Sequence, residues 1–378
     1  MRASRSFIVI LSLLVLLLVY IGMRILPDLA LGLGGNLLGV LALALLGVLV
    51  PVGLMSASLR RRRPSHLVAW AGLLSMGFFS SLLVTTLGRD LVLLALMLAG
   101  VLSPSIIYGS ALAVPLVALG VTVVGFVNAR RLARVVKVNV PIRNLPPALH
   151  GYAIAQISDI HVGPTIKRPF LTAIVERVNK LGADAIAITG DLVDGSVQRL
   201  REHTAPLAQL RANDGVFFVT GNHEYYSGAE EWIAEVRRLG VTVLLNQHVL
   251  RRRGDASLMI AGVADFSAHQ FNPTHRSDPQ RAAAGAPQDV DVRVLLAHQP
   301  RSAPQAAEAG FDLQLSGHTH GGQFFPWNLF VPLQQPFVAG LNRVRDMWVY
   351  TSRGTGYWGP PKRFGAPSEI TLVRLVPA

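Results

Sequence analysis

Four long apolar runs dominate the first 130 residues, and they limit what this chain can fold into more than any other feature. The runs cover residues 7–23, 29–59, 67–87 and 91–127. An α-helix rises about 1.5 Å per residue and the hydrocarbon core of a bilayer is about 30 Å thick, so even the shortest run is close to spanning length. The sequence therefore predicts a helical membrane domain at the N-terminus.

The interruptions of these runs predict how often the chain crosses. The first run could be a cleaved signal peptide, but no clear small-residue cleavage site precedes Leu29 and further runs follow, so we interpret it as a retained anchor. The last run is broken by SPS at 103–105 and by Pro115. We expect it to cross once, either as one long kinked helix or as a short re-entrant piece followed by a span from Ile106. The prediction is four spans.

Basic residues predict the orientation. The stretch RRRRP at 60–64 and the segment NARRLARVVKV at 128–138 both follow apolar runs. Arg and Lys beside spans favour the cytoplasmic side, so we expect the C-terminal half in the cytoplasm, with the periplasmic or extracellular face as the alternative. A basic helix lying on anionic headgroups is a second interpretation of residues 128–138.

Charge is distributed unevenly between the two halves. Residues 1–150 contain 13 Lys or Arg and two acidic residues, whereas residues 151–378 contain 22 basic and 20 acidic residues. The net charge of +13 therefore belongs mostly to the apolar half, and the nearly neutral second half argues against a nucleic-acid partner. The chain has no cysteine, which excludes disulfides and thiolate ligands.

From Gly151 onward, short apolar strands alternate with amphipathic helical stretches, which is typical of a layered α/β architecture. Five predicted strands run directly into polar residues, and α/β sheets bind ligands at the carboxyl ends of their strands. The endings, in chain order, are Asp159 with His161, Gly190 with Asp191, GNHE at 221–224, His298, and GHTH at 317–320. We expect them to converge on one edge and form one site.

Each ending also has a purely structural interpretation. Asp159 could cap a helix, the GD pair is common by chance, GNHE could be a capped turn, and a lone His298 is more often a satisfied core histidine. His318 and His320 could lie on a solvent-exposed turn. If they instead alternated along a strand, both rings would point to the same face and Thr319 to the opposite face. Five such coincidences in one chain favour a shared site.

The ordered set D-x-H, G-D, G-N-H-E, H and G-H-x-H resembles the calcineurin-like metallophosphoesterase superfamily over roughly residues 151–378. GHTHGGQ at 317–323 and the tail TSRGTGYWGPPKRFGAPSEITLV at 351–373 are similar to a membrane-attached branch of the YaeI and YkuE type, which includes transmembrane proteins with a metallophosphoesterase domain. The resemblance implies a four-layer αββα sandwich with a two-metal centre.

Carried onto this chain, the resemblance implies two overlapping sets of metal ligands. One metal would be held by Asp159, His161, Asp191 and His320, and the other by Asp191, Asn222, His298 and His318. Imidazole, carboxylate and amide ligands without thiolate suit Mn²⁺, Fe or Zn²⁺. Two cations roughly 3.5 to 4 Å apart need a shared anionic ligand, and Asp191 would provide it.

The resemblance also makes His223 a catalytic residue beside the ligands, together with Asp191. His223 would protonate the leaving oxygen of a phosphoester; the alternative is that it only orients Asn222. We expect Glu224 to hydrogen-bond the His223 ring, and Asp194 either to cap the next helix or to touch the site.

Two stretches bear on the substrate. Arg353 and Arg363, with Lys362, lie on the glycine-rich tail and are predicted to bind the substrate phosphate, with a solvated loop as the alternative. The aromatic stretch at 323–340 is either core or an apolar surface that meets acyl chains or the bilayer. An anchored enzyme with such a surface would hydrolyse an amphiphilic phosphoester, such as a UDP-diacylglucosamine-like lipid or a phospholipid.

The sequence thus predicts a transmembrane domain of about four helices at 1–140, a linker at 141–150 and a metallophosphoesterase catalytic domain at 151–378. We predict a metal-dependent hydrolase of phosphodiester, pyrophosphate or phosphomonoester bonds in the inner membrane of a bacterium, with the lipid bilayer and a phosphoester substrate as partners. A phosphodiesterase for soluble nucleotides and a non-catalytic membrane scaffold are the alternatives. The scarcity of ionisable residues within the runs disfavours a transporter.

Overall fold

The structure is a computed structural model that describes residues 2–55 and 66–378. The basic stretch at 60–64, used above to predict orientation, lies outside these residues. The chain forms two compact units. The first comprises Met1–Val127 and Gly359–Lys362, and the second comprises Asn128–Trp358 and Arg363–Ala378.

The first unit contains four long helices. They are α1 (Arg2–Ile25), α2 (Gly32–Met55), α3 (His66–Leu98) and α4 (Pro104–Arg130). All four are long and apolar enough to cross a membrane, in agreement with the four predicted spans.

The boundary between the third and fourth spans differs from the prediction. Residues 91–98 belong to α3, which continues through Arg89 and Asp90, so neither the long kinked helix nor the re-entrant piece forms. The helix tolerates this polar pair because Arg89 forms an ion pair with Asp28 at 2.5 Å and Asp90 accepts a hydrogen bond from Arg24 at 2.9 Å.

The second unit contains twelve strands. They are β1 (Arg134–Ile142), β2 (Ala153–Ile157), β3 (Ala185–Thr189), β4 (Val216–Val219), β5 (Thr242–Val243), β6 (Gln247–Arg253), β7 (Ala256–Gly262), β8 (Val292–Leu296), β9 (Leu313–Ser316), β10 (Gly340–Val344), β11 (Met347–Thr351) and β12 (Glu369–Pro377). They form two six-stranded sheets, in the orders β1-β12-β2-β3-β4-β5 and β10-β11-β9-β8-β7-β6. Strands β2 to β5 are parallel, as are β7, β8, β9 and β11.

Two layers of helices and the two sheets give the αββα sandwich that the family resemblance implied. The helices are α5 (Arg168–Asn179), α6 (Val197–Thr204), α7 (Asn222–Ser227), α8 (Ala229–Arg238), α9 (Pro279–Ala283), α10 (Ala303–Glu308) and α11 (Trp327–Phe330). Apolar side chains from both sheets, such as Phe217 and Val294, share one buried core. A second core lies between the first sheet and its helices, where α8 buries Trp232 and Val236 at helical spacing.

The second unit begins earlier than the predicted boundary at residue 151. The predicted linker at 141–150 starts within β1, and the basic segment, for which a headgroup-bound helix was the second interpretation, forms this strand from Arg134 onward. β1 pairs in parallel with β12 over nine residues. The β-branched valines of β1 favour a strand over a helix. This signal was overlooked because the neighbouring basic residues are typical of the flank of a membrane span.

Candidate metal centre

All five predicted strand endings follow strands, and their side chains meet. The strands are β2, β3 and β4 of the first sheet and β8 and β9 of the second. The site therefore lies where the ends of two sheets approach each other, whereas the sequence pattern predicts the edge of a single sheet. The difference arises because a sequence shows where strands end but does not show how they divide between sheets.

One group of potential metal ligands consists of Asp159, His161 and His320. The Nε2 atoms of the two histidines lie 3.0 Å apart, and Nε2 of His320 lies 3.5 Å from Oδ1 of Asp159. All three residues are buried. Two ring nitrogens that face each other beside a buried carboxylate are arranged as ligands of one cation.

A second group consists of Asp191, His298 and His318. Nε2 of His298 lies 3.2 Å from Oδ2 of Asp191 and 3.2 Å from Nδ1 of His318. Oδ1 of Asn222 is buried and accepts no hydrogen bond from the described residues. Because a buried amide oxygen normally has a partner, this oxygen suits a metal ligand.

Asp191 reaches both groups through one oxygen. Its Oδ2 lies 3.2 Å from Nε2 of His298 in the second group and 3.8 Å from Nε2 of His161 in the first. The structure thus brings all seven predicted ligands together, and the residue types fit two divalent cations that share a carboxylate. The division of the ligands between two metals stays a prediction.

The ligands are aimed by unusual backbone rather than by strand alternation. Five of them have left-handed φ angles, which are uncommon outside glycine: Asp159 (53°), His161 (54°), Asp191 (50°), His318 (72°) and His320 (51°). β9 ends before His318, so the predicted alternation of His318 and His320 along a strand is wrong. Such conformations cost roughly 1–3 kcal/mol each and cluster at functional sites.

Glycines in the motifs allow the close approach of these loops. A Cβ atom at Gly221 would lie 2.2 Å from Oδ1 of Asp191, and one at Gly317 would lie 2.0 Å from Oγ of Ser158. Neither position has room for a side chain. The glycines of GNHE and GHTH are therefore required by packing around the ligands.

Electrostatics favour the ligand forms of three of these side chains, Asp191, His318 and His320. Burial raises the pKa of Asp191, but His298 and His223 outweigh burial and hold the pKa well below its ordinary value. Burial and His298 lower the pKa of His318 to about 3, and burial and His161 lower the pKa of His320 well below its ordinary value. An ionised carboxylate and neutral imidazoles are the forms that bind metal. The other shifts go the opposite way: burial lowers the pKa of His298 but Asp191 outweighs burial and raises it well above its ordinary value, and burial raises the pKa of Asp159.

His223 is oriented by Asp194 and not by Glu224. Nδ1 of His223 lies 2.6 Å from Oδ1 of Asp194, and the same oxygen lies 3.1 Å from Nδ1 of His161. Asp194 therefore contacts the site, which is one of the two alternatives predicted for it. Burial lowers the pKa of His223, but Asp191 and Asp194 outweigh burial and raise it to about 9.

The Glu224 side chain makes hydrogen bonds other than the predicted one. Its carboxylate accepts hydrogen bonds from the backbone N–H groups of Gly221 at 2.6 Å, Leu192 at 2.8 Å and Asp191 at 3.0 Å. The predicted bond between Glu224 and the His223 ring is wrong, because α7 turns the Glu224 side chain inward beneath the strand ends. Glu224 thereby ties the GD loop to the GNHE loop.

The basic residues of the tail lie in three different environments. Arg363 is buried and donates to the carbonyl oxygens of Gly356, Ala366 and His320, with Nη2 3.1 Å from Nδ1 of His320. Arg353 forms an ion pair with Glu369 at 3.0 Å. Lys362 belongs to the first unit, where it donates to Oγ of Ser81 at 2.6 Å. Phosphate binding by Arg353 and Arg363 stays a prediction, and the geometry supports a positioning role of Arg363 toward His320.

Sequence reasoning missed two aromatic residues beside His223 and the glutamine that binds one of them. The rings of Tyr226 and Trp358 lie 5.1 and 5.7 Å from the His223 ring. The side chain of Gln323 accepts a hydrogen bond from N of Trp358 and donates one to its carbonyl oxygen, both at 2.9 Å. The glutamine that directly follows the last ligands in GHTHGGQ was the available signal.

Known proteins match this chain across the second unit. The sequence profile of the calcineurin-like phosphoesterases matches residues 152–322. The transmembrane protein with metallophosphoesterase domain of Danio rerio is 41% identical over 261 residues, which cover 67% of this chain and 60% of the relative. An uncharacterized metallophosphoesterase of Aquifex aeolicus is 30% identical over 247 residues, which cover 64% of this chain and 91% of the relative.

Solved structures show weaker likeness. The 5′-nucleotidase precursor from Thermus thermophilus has 16% sequence identity and a TM-score of 0.40, and the match covers 59% of this chain and 55% of that one. A structural similarity this weak gives no information about substrate or mechanism. The chain also spans only 60% of the length of the vertebrate relatives that it matches.

Proposed function

Because this chain belongs to the calcineurin-like metallophosphoesterases, we propose that it hydrolyses phosphoester bonds with two divalent metal ions. The observation that carries the proposal is the position of Oδ2 of Asp191, which lies within 3.8 Å of ring nitrogens in both ligand groups. Mn²⁺, Fe or Zn²⁺ would suit the nitrogen and oxygen ligands. Bound cations of this kind withdraw charge from a phosphoester and activate a nucleophile.

The protein's own groups would orient the ligands and deliver a proton. Nδ1 of His298 lies 2.7 Å from the carbonyl oxygen of Thr189, which fixes the ring and leaves Nε2 for a metal. His223 has its Nδ1 engaged by Asp194, while its Nε2 lies 3.9 Å from Asp191. Nε2 of His223 is therefore placed to protonate the leaving oxygen of a substrate held at the metals.

We further propose that the substrate is amphiphilic. The part of the chain that the structure describes contains four helices of membrane-spanning character, and the segment after the last ligands carries exposed apolar side chains, with Trp327 50% and Leu333 79% exposed. No charged residue lies between His320 and Arg343. A Cβ atom at Gly322 would lie 2.3 Å from Cα of Asn328, so α11 packs directly on the ligand loop. An apolar surface beside the metals suits acyl chains or the edge of a bilayer.

The proposed location is a bacterial inner membrane with the second unit in the cytoplasm. The support is the basic segment at the end of α4 and just after it, which includes Arg130, Arg131 and Arg134. Protease accessibility of the second unit in sealed vesicles of known orientation tests this placement. Cleavage in intact inside-out vesicles, with protection in intact right-side-out vesicles, supports it, and the reverse pattern contradicts it.

Activity of the purified full chain tests the proposed chemistry. The chain is reconstituted in nanodiscs, loaded in turn with Mn²⁺, Fe²⁺ and Zn²⁺, and given bis(4-nitrophenyl) phosphate, nucleotides, phospholipids and a UDP-linked lipid. We expect metal-dependent hydrolysis that Asp191→Ala abolishes. Failure on every ester with every metal contradicts the phosphoesterase proposal, whereas hydrolysis of soluble esters alone contradicts the amphiphilic substrate.

A further inference from the structure

Two exposed aromatic side chains frame the ring of His223. Tyr226 lies 5.1 Å from it with 62° between the ring planes, and Trp358 lies 5.7 Å from it with 73°. Tyr226 is 60% and Trp358 47% exposed, whereas the side chain of His223 is only 15% exposed. Phe271, also exposed, continues the wall at 5.5 Å from Tyr226. We call Tyr226, Trp358 and Phe271 the aromatic wall.

Two residues of the wall are positioned through their backbone. Tyr226 follows His223 by three residues on α7, so both side chains project from the same face of that helix. Trp358 is fixed through its backbone by both ends of the Gln323 amide. Large aromatic side chains gain most when buried, and fixed but exposed ones beside a reactive group are typical of a binding surface.

The position of the wall relates it to one part of the reaction. Asp194 occupies Nδ1 of His223, which leaves Nε2 as the atom that meets a leaving oxygen. In hydrolysis, the water oxygen bonds to phosphorus, the bond from phosphorus to the leaving oxygen breaks, and that oxygen keeps the electron pair and takes the proton from Nε2. The proton that the water loses passes to the solvent, from which Nε2 is protonated again. The rest of the leaving alcohol must then extend past the His223 ring, where Tyr226 and Trp358 lie.

We propose that the aromatic wall is the leaving-group subsite of this enzyme and that it selects an uncharged alcohol with a flat or apolar body. The proposal rests on the proposed function, because it takes His223 as the proton donor. Flat rings gain edge-to-face and offset contacts with Tyr and Trp. A leaving group that carried further phosphate would meet carbon surface here, so the wall favours esters of alcohols over pyrophosphates.

Benzyl methyl phosphate tests the subsite within a single substrate. Hydrolysis releases either benzyl alcohol or methanol, and both alkoxides are poor leaving groups that need a proton. The ratio of the two alcohols reports which group occupies the leaving position, and it does not depend on how much of the enzyme is folded or loaded with metal. Hydrolysis in ¹⁸O-labelled water, with the label recovered in phosphate, establishes that phosphorus is attacked.

We expect the full chain with Mn²⁺ to release benzyl alcohol in preference to methanol. Tyr226→Ala and Trp358→Ala should each shift the ratio toward methanol by roughly 3- to 10-fold, the scale of one aromatic contact, while Tyr226→Phe and Trp358→Phe keep most of the preference. Leu250→Ala, at an exposed apolar residue on β6, is the matched control and leaves the ratio unchanged. An equal release of both alcohols by the unaltered chain, or alanine variants that lose rate at a constant ratio, would overturn the proposal.

Two further measurements separate the remaining outcomes. Methyl thymidine 5′-phosphate offers a nucleoside as the leaving alcohol, and methyl octyl phosphate offers a lipid-like alcohol. The ester that the full chain hydrolyses faster identifies the preferred alcohol, and this preference should be lost in Trp358→Ala. Bis(4-nitrophenyl) phosphate reports the hydrolytic centre itself. Turnover of this ester without turnover of benzyl methyl phosphate contradicts the subsite alone, whereas no turnover of either contradicts the proposed function.

Discussion

Oδ1 of Asp194 lies 2.6 Å from Nδ1 of His223 and, at 3.1 Å, also meets Nδ1 of His161. One carboxylate oxygen therefore orients both the predicted proton donor and a predicted metal ligand. This shared contact would couple the proposed proton donor to a proposed metal ligand.

Asp194→Asn should impair both functions at once. An amide oxygen bears no full negative charge and accepts hydrogen bonds from both rings more weakly, so we expect activity and metal affinity each to fall by roughly 10- to 100-fold. Steady-state kinetics and Mn²⁺ titration of the purified chain measure the two effects. Glu308→Gln, at an exposed ion pair with Arg345, is the control. Unchanged affinity together with unchanged kcat would show that Asp194 has no such role.

His223→Asn should separate proton delivery from metal binding. The variant should retain both metals and lose roughly 10²- to 10⁴-fold in kcat on alkyl esters, whose leaving oxygen needs a proton. The loss should be much smaller on bis(4-nitrophenyl) phosphate, because 4-nitrophenolate leaves without protonation. Equal losses on both ester types would instead support the alternative in which His223 only orients Asn222.

Glu224→Ala should destabilise the second unit. The change leaves three backbone N–H groups without their acceptor, and each buried unsatisfied donor costs about 1–3 kcal/mol. We expect a loss of about 3 kcal/mol or more in the free energy of unfolding, measured by thermal or urea denaturation. Glu224→Gln keeps one acceptor oxygen and should lose less. If the two variants are equally stable, the three hydrogen bonds do not carry the effect.

Gly221→Ala should displace the bridging carboxylate without unfolding the chain. The φ of Gly221 is −99°, which alanine adopts readily, so the effect is one of space alone. A methyl group there would lie 2.2 Å from Oδ1 and 2.5 Å from the backbone N of Asp191, so both the side chain and the local backbone of Asp191 must shift. Metal content and activity should both fall while the circular dichroism spectrum is retained. Gly109→Ala, at an open position of α4 with no left-handed φ, controls for the loss of a glycine. Full metal content in Gly221→Ala would contradict the packing argument.

The sequence was sufficient to predict the four spans, the five strands and the side chains that meet at their ends, because hydrophobic periodicity and strand-end polarity are local signals. It misplaced the start of the second unit, since the arginines before β1 resembled the flank of a membrane span. A hydrogen bond between Glu224 and the His223 ring was also predicted, but consecutive side chains on a helix point in different directions, so these two do not meet. The contact between Trp358 and His223 could not be predicted, since the two residues are 135 positions apart in the sequence and meet only through the fold of the tail loop.

A centre of two metals bridged by Asp191 is the basis of the proposed function. Elemental analysis of the purified, Mn²⁺-loaded chain by inductively coupled plasma mass spectrometry measures this, in parallel with activity on bis(4-nitrophenyl) phosphate. We predict about two metal ions per chain, and at most one, with loss of activity, in Asp191→Ala. A loaded wild-type chain that binds one metal or none, or an Asp191→Ala variant that keeps both, would contradict the account.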